Sequence, residues 1–319
     1  MVPGVDGGEL ELRDVDRPSP AQGEVVVDVD AAAINRGELI GQPALRPSNP
    51  NARPRPSGIE FAGVVSEVGT GVSAWSAGDR VMGRGSGCHS EAVCVTSAAL
   101  MPVPMNMSFE DAAAIPNVFV TAHDALASAA AVSTDDAVLI TAGSSGVGTA
   151  AIQIAAVLGA EHVVATTRSP AKTTQLSDLG ATLVVDTTQA DWSEQVRDAT
   201  GGIDVVIDQI AGPLVGPCLE TMSVEGRFVT VGRTGGKEAA IDLDLVARQR
   251  LSIIGVTFRT RTPEEALACS TRFAHDLLPF FDDGSLRPVL DRTFPLEDLP
   301  AAHDYMRADD HVGKIVLVT

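Results

Sequence analysis

The stretch Val138-Leu-Ile-Thr-Ala-Gly-Ser-Ser-Gly-Val-Gly148 decides the fold, because an apolar run rich in β-branched residues ends in a glycine-rich turn that leads directly into a helical pattern. Glycine at Gly143, Gly146 and Gly148 lets the backbone turn tightly and approach a ligand closely. The unpaired N–H groups and the positive dipole end of the following helix favour an anion. The stretch therefore predicts a strand, a turn and a helix that hold a pyrophosphate.

The residues after the turn extend this pattern into a βαβ unit. Apolar residues recur at helical spacing from Val147 to Leu158, the helix stops at Gly159, and a second β-branched run covers His162 to Thr167. Such a unit of ~30 residues indicates a dinucleotide site. Because Ser145 occupies the middle glycine position of G-x-G-x-x-G, a plain strand-to-helix turn is the alternative.

The end of the second strand predicts which nicotinamide cofactor is bound. An acidic residue ~20 residues past the glycines would bind the ribose hydroxyls of NAD, whereas basic and hydroxyl side chains accommodate the 2′-phosphate of NADP. This chain has Thr167, Arg168 and Lys172 there and no carboxylate, although it contains only three lysines. We therefore predict NADPH; the alternative is that Arg168 and Lys172 lie on a solvated face.

Composition and charge exclude several classes of protein. The 319 residues are 45% apolar and 20% charged, which is enough for two globular domains. A net charge of −19 argues against nucleic acid and anionic membranes as partners. No apolar run approaches ~18 residues and the N-terminal residues lack a basic segment, so we expect a cytoplasmic protein. Four scattered cysteines do not form a disulfide framework.

The pattern along the chain predicts two α/β domains. Short strands between turns fill residues 1–115, with a long loop expected over 41–58. Residues 116–257 alternate helix and strand, and their six strands predict a doubly wound parallel sheet. Residues 258–319 form a long helix from Pro263 to Phe281, a strand, a second helix and a final strand, which we expect to rejoin the N-terminal β domain.

This arrangement resembles the medium-chain dehydrogenase/reductase superfamily, and it is most similar to the zinc-independent quinone oxidoreductases related to zeta-crystallin. The resemblance implies a GroES-like β-rich catalytic domain and a Rossmann domain. It is carried by the following segments: Asn35 to Leu39, Gly58 to Gly63, Val68-Gly69 with Gly78 to Val81, Ala113 to Pro116 with Thr121-Ala122, Ala142 to Gly148, Phe258 to Arg261, and Val312 to Val316.

The resemblance also bears on metal chemistry. Zinc alcohol dehydrogenases hold the catalytic ion with two cysteines and a histidine, and the matching positions here are Asn35, Ile59 and Asn117. The second, structural zinc lobe of those relatives is reduced to Cys88, His89 and Cys94. A site of these three residues is conceivable, but ordinary loop residues are the simpler interpretation. We predict that no metal is bound.

Without a metal to stabilise a developing alkoxide, the expected reaction is hydride transfer from NADPH to a conjugated acceptor. A quinone is the first hypothesis. An enone or enoyl reductase of a biosynthetic pathway is the alternative. Enoyl-thioester reductases of the superfamily that this chain resembles typically have a tyrosine in the N-terminal domain as proton donor. The only tyrosine here is Tyr305, in a C-terminal helix, which counts against enoyl reduction. A cofactor-binding protein with little turnover is a third possibility.

The resemblance supplies the candidate site residues. Asn35 and Asn117 are the predicted catalytic hydrogen-bond donors, and their alternative role is to cap turns. The apolar strand Leu251 to Val256 would be an exposed edge in a monomer, so we expect a homodimer. The predicted cofactor-binding residues are Thr121, Gly143, Ser144, Ser145, Gly146, Val147, Gly148, Thr167, Arg168, Lys172, Gly232, Arg233, Phe258, Arg259 and Lys314.

Overall fold

The computed structural model describes residues 1–3, 10–41 and 56–319. Most of the predicted loop over 41–58 lies outside these residues. The strands are β1 (Val2–Pro3), β2 (Leu10–Glu11), β3 (Glu24–Ala33), β4 (Glu60–Val68), β5 (Arg80–Arg84), β6 (Ala92–Thr96), β7 (Leu100–Pro102), β8 (Ala137–Ile140), β9 (His162–Thr167), β10 (Leu183–Asp186), β11 (Ile203–Asp208), β12 (Met222–Thr230), β13 (Ser252–Gly255), β14 (Leu290–Pro295) and β15 (Lys314–Val318).

The α-helices are α1 (Arg36–Gly41), α2 (Phe109–Ala113), α3 (Val118–His123), α4 (Gly146–Val157), α5 (Thr173–Asp178), α6 (Trp192–Thr200), α7 (Val215–Glu220), α8 (Leu243–Gln249), α9 (Pro263–Leu277), α10 (Pro279–Asp282) and α11 (Leu299–Arg307). A π-helical turn, Asp124–Ala129, follows α3. The single helix predicted up to Phe281 is divided into α9 and α10, because Pro279 has no N–H to continue the first helix and restricts the residue before it.

Unit 1 comprises Met1–Val118, Ser270–Asp282 and Pro288–Thr319. Its main sheet has the strand order β14-β15-β3-β4-β5-β7, with β6 also paired to β3. The C-terminal strand β15 runs antiparallel to β3, with Val316 opposite Ala33. The C-terminal strands β14 and β15 thus lie in the same sheet as β3 and β4.

Unit 2 comprises Phe119–Cys269 and Asp283–Arg287. Its six strands are all parallel, in the order β10-β9-β8-β11-β12-β13. The central strand β8 is buried at every residue, as expected for a parallel strand covered on both faces. Helix α4 packs against it through Ala150, Ala151 and Ile154, which are fully buried. The predicted doubly wound sheet is confirmed.

The compact units divide the chain at different places from the predicted boundaries after 115 and 257. Residues 258–269 stay with unit 2, where Arg261 forms an ion pair of 2.6 Å with Asp124. Residues 283–287 also belong to unit 2, because the amide of Gln153 accepts from the N–H of Arg287 (2.9 Å) and donates to its carbonyl (3.0 Å). Such pairings between distant residues leave no local signal in the sequence.

We expect the glycine turn to tolerate no side chain at Gly148. A Cβ there would lie 2.3 Å from the carbonyl oxygen of Ala142, which is backbone and cannot rotate away. Gly148→Ala should lower the free energy of unfolding by about 3 kcal/mol through forced overpacking, measured by urea denaturation. Gly216→Ala is the control, since it lies in α7 with open space around it. It should raise stability by about 0.5–1 kcal/mol. Equal effects of the two variants would contradict this account of the turn.

Candidate active site

A buried ammonium group organises the candidate site in unit 1. Lys314 begins β15 and is only 3% exposed. Its Nζ donates to the carbonyl oxygen of Ile34 (2.7 Å), to Oδ1 of Asn35 (2.8 Å) and to Oε1 of Glu60 (2.8 Å). An ammonium has three protons to donate, so these partners use all of them. Burial of this charge is compensated by a carboxylate and two further oxygens.

The two predicted catalytic asparagines meet in the same network. Asn35 donates from Nδ2 to Oε1 of Glu60 (2.8 Å), and its Oδ1 accepts from Nδ2 of Asn117 (2.8 Å) as well as from Lys314. The backbone N–H of Asn117 donates to the other carboxylate oxygen of Glu60 (2.6 Å). Asn35 is buried, whereas Asn117 is half-buried. Asn117 is therefore the more accessible end of this amide network.

The donor set of this network does not fit zinc. Asn35 and Asn117 bond to each other and to Glu60, and the third matching position, Ile59, has no ligating atom. Structural and catalytic zinc sites are built from thiolates, imidazoles and carboxylates in tetrahedral arrangement. Among the described residues, no group of three or more His, Cys, Asp or Glu side chains could hold a metal ion.

Cys88, His89 and Cys94, the other conceivable metal ligands, lie in a region with different contacts. Nδ1 of His89 lies 2.8 Å from the hydroxyl of Ser57, and Sγ of Cys94 lies 3.4 Å from Glu24. Burial raises the pKa of the Cys88 thiol well above its usual range, which disfavours the thiolate that a metal needs. These contacts support ordinary structural roles for Cys88, His89 and Cys94.

Glu38 lies beside the network and is half-buried. Its Oε2 accepts from the backbone N–H of Asn35 (3.2 Å), the return bond of a helix capping box. Burial raises the pKa of Glu38 to about 8, and burial lowers the pKa of His89 to about 3. Burial thus favours the neutral form of both side chains, whereas Lys314 and Glu60 form an ion pair of 2.8 Å.

The glycine turn of unit 2 forms as predicted, with a serine as helix cap. Ser145 is the N-cap of α4, and its Oγ accepts from the N–H of Gly148 (3.0 Å). The N–H groups of Gly146 and Val147 open the helix and have no intrahelical acceptor. Gly143 packs against the sheet, where a Cβ would lie 3.0 Å from Ala165. The turn thus presents helix N–H groups that fit the phosphates of a dinucleotide.

Hydrogen bonds join the ends of the neighbouring strands β8 and β11 beside this turn. The hydroxyl of Thr141, at the end of β8, donates to Asp208 at the end of β11 (2.9 Å). The same carboxylate accepts from the N–H groups of Ile210 and Ala211 at 2.9–3.1 Å. Asp208 is fully buried, and desolvation raises its pKa despite these bonds. The ends of β8 and β11 are therefore tied together by one carboxylate.

The residues predicted to select the cofactor cluster after β9. The hydroxyl of Thr167 accepts from the N–H of Ser169 (3.0 Å), which turns the chain. Arg168 is exposed, and Lys172 is half-buried at the start of α5. Nearby, Asp186 at the end of β10 accepts from the N–H of Thr188 (2.9 Å). The basic side chains thus lie beyond the carboxyl end of β9, where the second ribose of a dinucleotide is expected.

The other predicted cofactor residues of unit 2 follow strand ends. Gly232 comes after β12, with its N–H donating to the carbonyl oxygen of Asp208 (3.1 Å), and Arg233 beside it is exposed. Phe258 is half-buried and Arg259 is exposed after β13. The remaining predictions are placed as follows: Thr121 is buried on α3, and Ser144 is half-buried in the glycine turn.

An ion pair anchors the segment after β13. Arg261 contacts Asp124 through both guanidinium nitrogens (2.6 and 3.2 Å), and its guanidinium lies 4.8 Å from the ring centre of Phe258. Sγ of Cys269 lies 3.4 Å from the same carboxylate. A bidentate, half-buried contact between an arginine and a carboxylate fixes the orientation of the guanidinium and also pairs its charge. It holds Phe258 in one position at the carboxyl edge of the sheet.

Sequence reasoning missed three of these residues. Glu60 opens β4 and precedes the apolar run Phe61 to Val65, and a carboxylate in that position is a signal of a buried pair. Asp208 ends β11 after a buried run and Gln209 follows it, and such polar residues mark the carboxyl edge of a parallel sheet. The prediction that Lys314 binds the cofactor differs from its position here, since its three donors are directed to residues of unit 1.

Two family models match the chain. Residues 21–105 match the alcohol dehydrogenase GroES-like domain, and residues 146–272 match the zinc-binding dehydrogenase domain. The first lies in unit 1 and the second lies almost entirely in unit 2. The order of the two matches agrees with the order of the two folds described above.

The curated relatives are of two kinds. The spectinabilin polyketide synthase system protein NorB of Streptomyces orinoci is 35% identical over 93% of this chain, which spans only 13% of that protein. The chain likewise spans 6% of the mycoketide-CoA synthase of Mycobacterium tuberculosis and 9% of the erythronolide synthase EryA2 of Saccharopolyspora erythraea. The quinone oxidoreductase-like protein 2 of Bos taurus is 30% identical, over 94% of this chain and 86% of its own length.

Solved structures agree with both the fold and the family. An NAD-dependent alcohol dehydrogenase superposes with a TM-score of 0.89 at 31% identity, covering 100% of this chain and 98% of its own. The CurK enoyl reductase superposes with a TM-score of 0.84 at 29% identity, covering 99% and 96%. With a GroES-like domain, a doubly wound parallel sheet and a full-length relative at 30% identity, the chain belongs to the medium-chain dehydrogenase/reductase superfamily, an oxidoreductase family.

Proposed function

We propose that this protein is an NADPH-dependent, zinc-independent reductase of conjugated carbonyl compounds, of the enone or enoyl type. The observation that carries the proposal is the buried network of Lys314, Asn35, Glu60 and Asn117, in which Asn35 and Asn117 occupy two of the positions that match zinc ligands. Similarity to an enoyl reductase and to polyketide synthase proteins supports an enoyl acceptor over the quinone acceptor that was our first hypothesis.

The chemistry of the donor set limits the acceptor. Amides donate hydrogen bonds but are not Lewis acids. They therefore suit a substrate that delocalises the developing negative charge over its own conjugated system. A carbonyl conjugated to an alkene meets that requirement. The hydride bonds to the β-carbon, the electron pair of the alkene moves onto the carbonyl oxygen as an enolate, and a proton from water then adds at the α-carbon. When bound, NADPH supplies the hydride. The protein's part is to orient the acceptor and to stabilise its carbonyl oxygen.

We assign the contact with the acceptor's carbonyl oxygen to Asn117. Its carboxamide is half-buried and is oriented by Asn35, while its backbone N–H is held by Glu60. Asn35 is a positioning residue instead, since its Nδ2 bonds to Glu60 and its Oδ1 accepts two bonds. Lys314 has the same role, because its protons are all directed to protein oxygens.

We propose that the glycine turn binds the pyrophosphate of the cofactor, with the N–H groups of Gly146 and Val147 as donors. Arg168 and Lys172 would then contact the 2′-phosphate, and Thr167 would contact the adenosine ribose. The absence of a carboxylate directly after β9 supports NADPH over NADH. Gly232, Arg233, Phe258 and Arg259 would line the nicotinamide half, because they follow β12 and β13 on the same edge of the sheet.

A quinone acceptor is the second candidate function, favoured by the similarity to the bovine quinone oxidoreductase-like protein 2 along most of its length. A quinone also delocalises arriving charge, so the same amide network would serve it. The two candidates differ in the acceptor and agree in the cofactor and the network.

We also propose that the partner in solution is a second copy of this chain. Within the part of the chain that the structure describes, β13 is the edge strand next to β12, and its Ile253 is 48% exposed. An uncovered parallel edge with an apolar side chain favours pairing with the same edge of another copy. Among the described residues, no helix is long and apolar enough to cross a membrane.

A panel of acceptors tests the proposed function. We expect NADPH oxidation at 340 nm with simple enones and crotonyl thioesters, at a higher kcat/KM than with 1,4-benzoquinone or 9,10-phenanthrenequinone. A preference for the quinones would favour the second candidate. Tight NADPH binding without oxidation by any acceptor would identify a binding protein and overturn both.

Replacing Asn117 should affect turnover more than cofactor binding. Asn117→Ala removes the proposed donor to the carbonyl oxygen, so we expect kcat to fall by about 10²–10³, the usual loss for one oxyanion donor. The dissociation constant for NADPH should stay within about twofold, measured by fluorescence titration. Ser133→Ala is the control, because this exposed residue lies outside the network. An unchanged kcat in Asn117→Ala would remove Asn117 from the mechanism.

Arg168 should control the choice of cofactor. Arg168→Ala removes a cation from the 2′-phosphate, so we expect the ratio of kcat/KM for NADPH over NADH to fall about tenfold, which equals about 1.4 kcal/mol. The control is Arg248→Ala, since Arg248 is an exposed arginine of unit 2 paired with Asp244 on α8. An unchanged ratio in Arg168→Ala would show that Arg168 lies on a solvated face.

A further inference from the structure

The topology of unit 2 places a switch point between β8 and β11. The chain moves outward from β8 to β9 and β10 on one side, and then returns to β11 and continues to β13 on the other. In doubly wound sheets, ligands bind outside the carboxyl ends of the strands at such a point. The residues that bridge β8 and β11 there therefore shape the floor of the proposed cofactor site.

Gln209 is the side chain that bridges this point. It follows β11 directly, is 8% exposed, and donates from Nε2 to the carbonyl oxygen of Thr141 (2.8 Å). Its Oε1 accepts from the hydroxyl of Ser145 (2.8 Å). Its backbone N–H donates to the hydroxyl of Thr141 (2.8 Å). One buried amide thus satisfies groups at the start and in the middle of the glycine turn.

The bond to Gln209 also fixes the direction of the Ser145 hydroxyl. Because the proton of Ser145 goes to Gln209, the oxygen presents a lone pair to the N–H of Gly148 (3.0 Å). With Gly148 capped in this way, the N–H groups of Gly146 and Val147 are the ones left without an intrahelical acceptor. The amide therefore orients the helix end that faces the anion.

The backbone of Gln209 fixes a third loop. Its carbonyl oxygen accepts from the hydroxyl of Thr234 (3.3 Å), and a Cβ on Gly232 would lie only 2.2 Å from that oxygen. Both residues belong to the segment after β12. The loops that follow β8, β11 and β12 are all held by contacts with this residue.

We propose that Gln209 is a positioning residue that preorganises the cofactor cradle by locking the glycine turn to the loops after β11 and β12. This inference rests on the proposed function, because it needs the turn to bind a dinucleotide. It does not place Gln209 in contact with the reacting atoms. Its effect is on the affinity for the cofactor, through the orientation of Ser145 and of the helix N–H groups.

The direct test is the affinity of Gln209→Leu for NADPH, measured by fluorescence titration. Leucine fills a similar volume and makes neither side-chain bond, so we expect the dissociation constant to rise about tenfold, or about 1.4 kcal/mol. An unchanged dissociation constant would overturn the inference. Absence of NADPH binding in the wild-type protein would instead overturn the proposed function, and the inference with it.

Gln153 provides a matched control. It is a buried glutamine of unit 2 whose side-chain amide makes three bonds, to Thr149 and to both backbone groups of Arg287, compared with two for the side-chain amide of Gln209. Gln153→Leu should lower the Tm but leave the dissociation constant for NADPH within about twofold of wild type. Equal losses of affinity in Gln153→Leu and Gln209→Leu would indicate general destabilisation and overturn the inference.

A pH series separates positioning from stability. In Gln209→Glu, a protonated carboxyl can donate to Thr141 and accept from Ser145, whereas the ionised form has no proton to donate. We therefore expect the affinity of this variant for NADP⁺, divided by the wild-type affinity at the same pH, to increase several-fold as the pH falls from 8 to 5. A ratio that does not change with pH would contradict the proposal.

The coupling of Gln209 to Ser145 is tested from the other side of the bond. Ser145→Ala removes the hydroxyl, and the double variant with Gln209→Leu should bind NADPH no more weakly than the weaker single variant, within about twofold. Multiplied losses would show that the two residues act independently, and they would overturn the proposed lock.

Discussion

A buried ammonium group must be paired to stay in the interior, and Lys314 imposes that constraint on unit 1. Its partners are the two residues that follow β3 and the first residue of β4: Glu60 supplies the opposite charge, Asn35 an amide oxygen and Ile34 a carbonyl oxygen. Removal of one member of such a buried pair typically costs about 3–5 kcal/mol, because the other charge is left uncompensated. The amide of Asn117 takes its orientation from this pair through Asn35 and Glu60.

The two units each contain a network of buried polar side chains, but the networks differ in chemistry. In unit 1 a charged pair holds two amides, and in unit 2 the amide of Gln209 and the carboxylate of Asp208 hold the loops of a parallel sheet. Both arrangements satisfy buried polar groups completely, which is what makes a polar network rigid. Rigid donors suit the proposed reaction, in which hydrogen bonds and not a metal ion would hold the carbonyl oxygen of the substrate.

The elements of regular structure were largely predictable, because their signals are local. The period of the apolar residues identified α4, and β-branched runs identified β9, β11 and β15. The glycine turn was predictable for the same reason. The division of the C-terminal helix at Pro279 was readable in principle, since proline cannot continue a helix. The boundaries of the two units were not, because they depend on pairings such as Arg261 with Asp124.

The sequence by itself determined the order of strands and helices, the glycine turn between β8 and α4, and the basic residues beyond β9. Only the tertiary structure decided what the polar residues of the site bond to. Asn35 and Lys314 are 279 residues apart in the chain, and Gln209 is 64 residues from Ser145. Neither pair has a local pattern, because its geometry exists only once the sheets have formed. Asn35, expected from the sequence to be a donor to substrate, bonds in the structure to Glu60, Asn117 and Lys314.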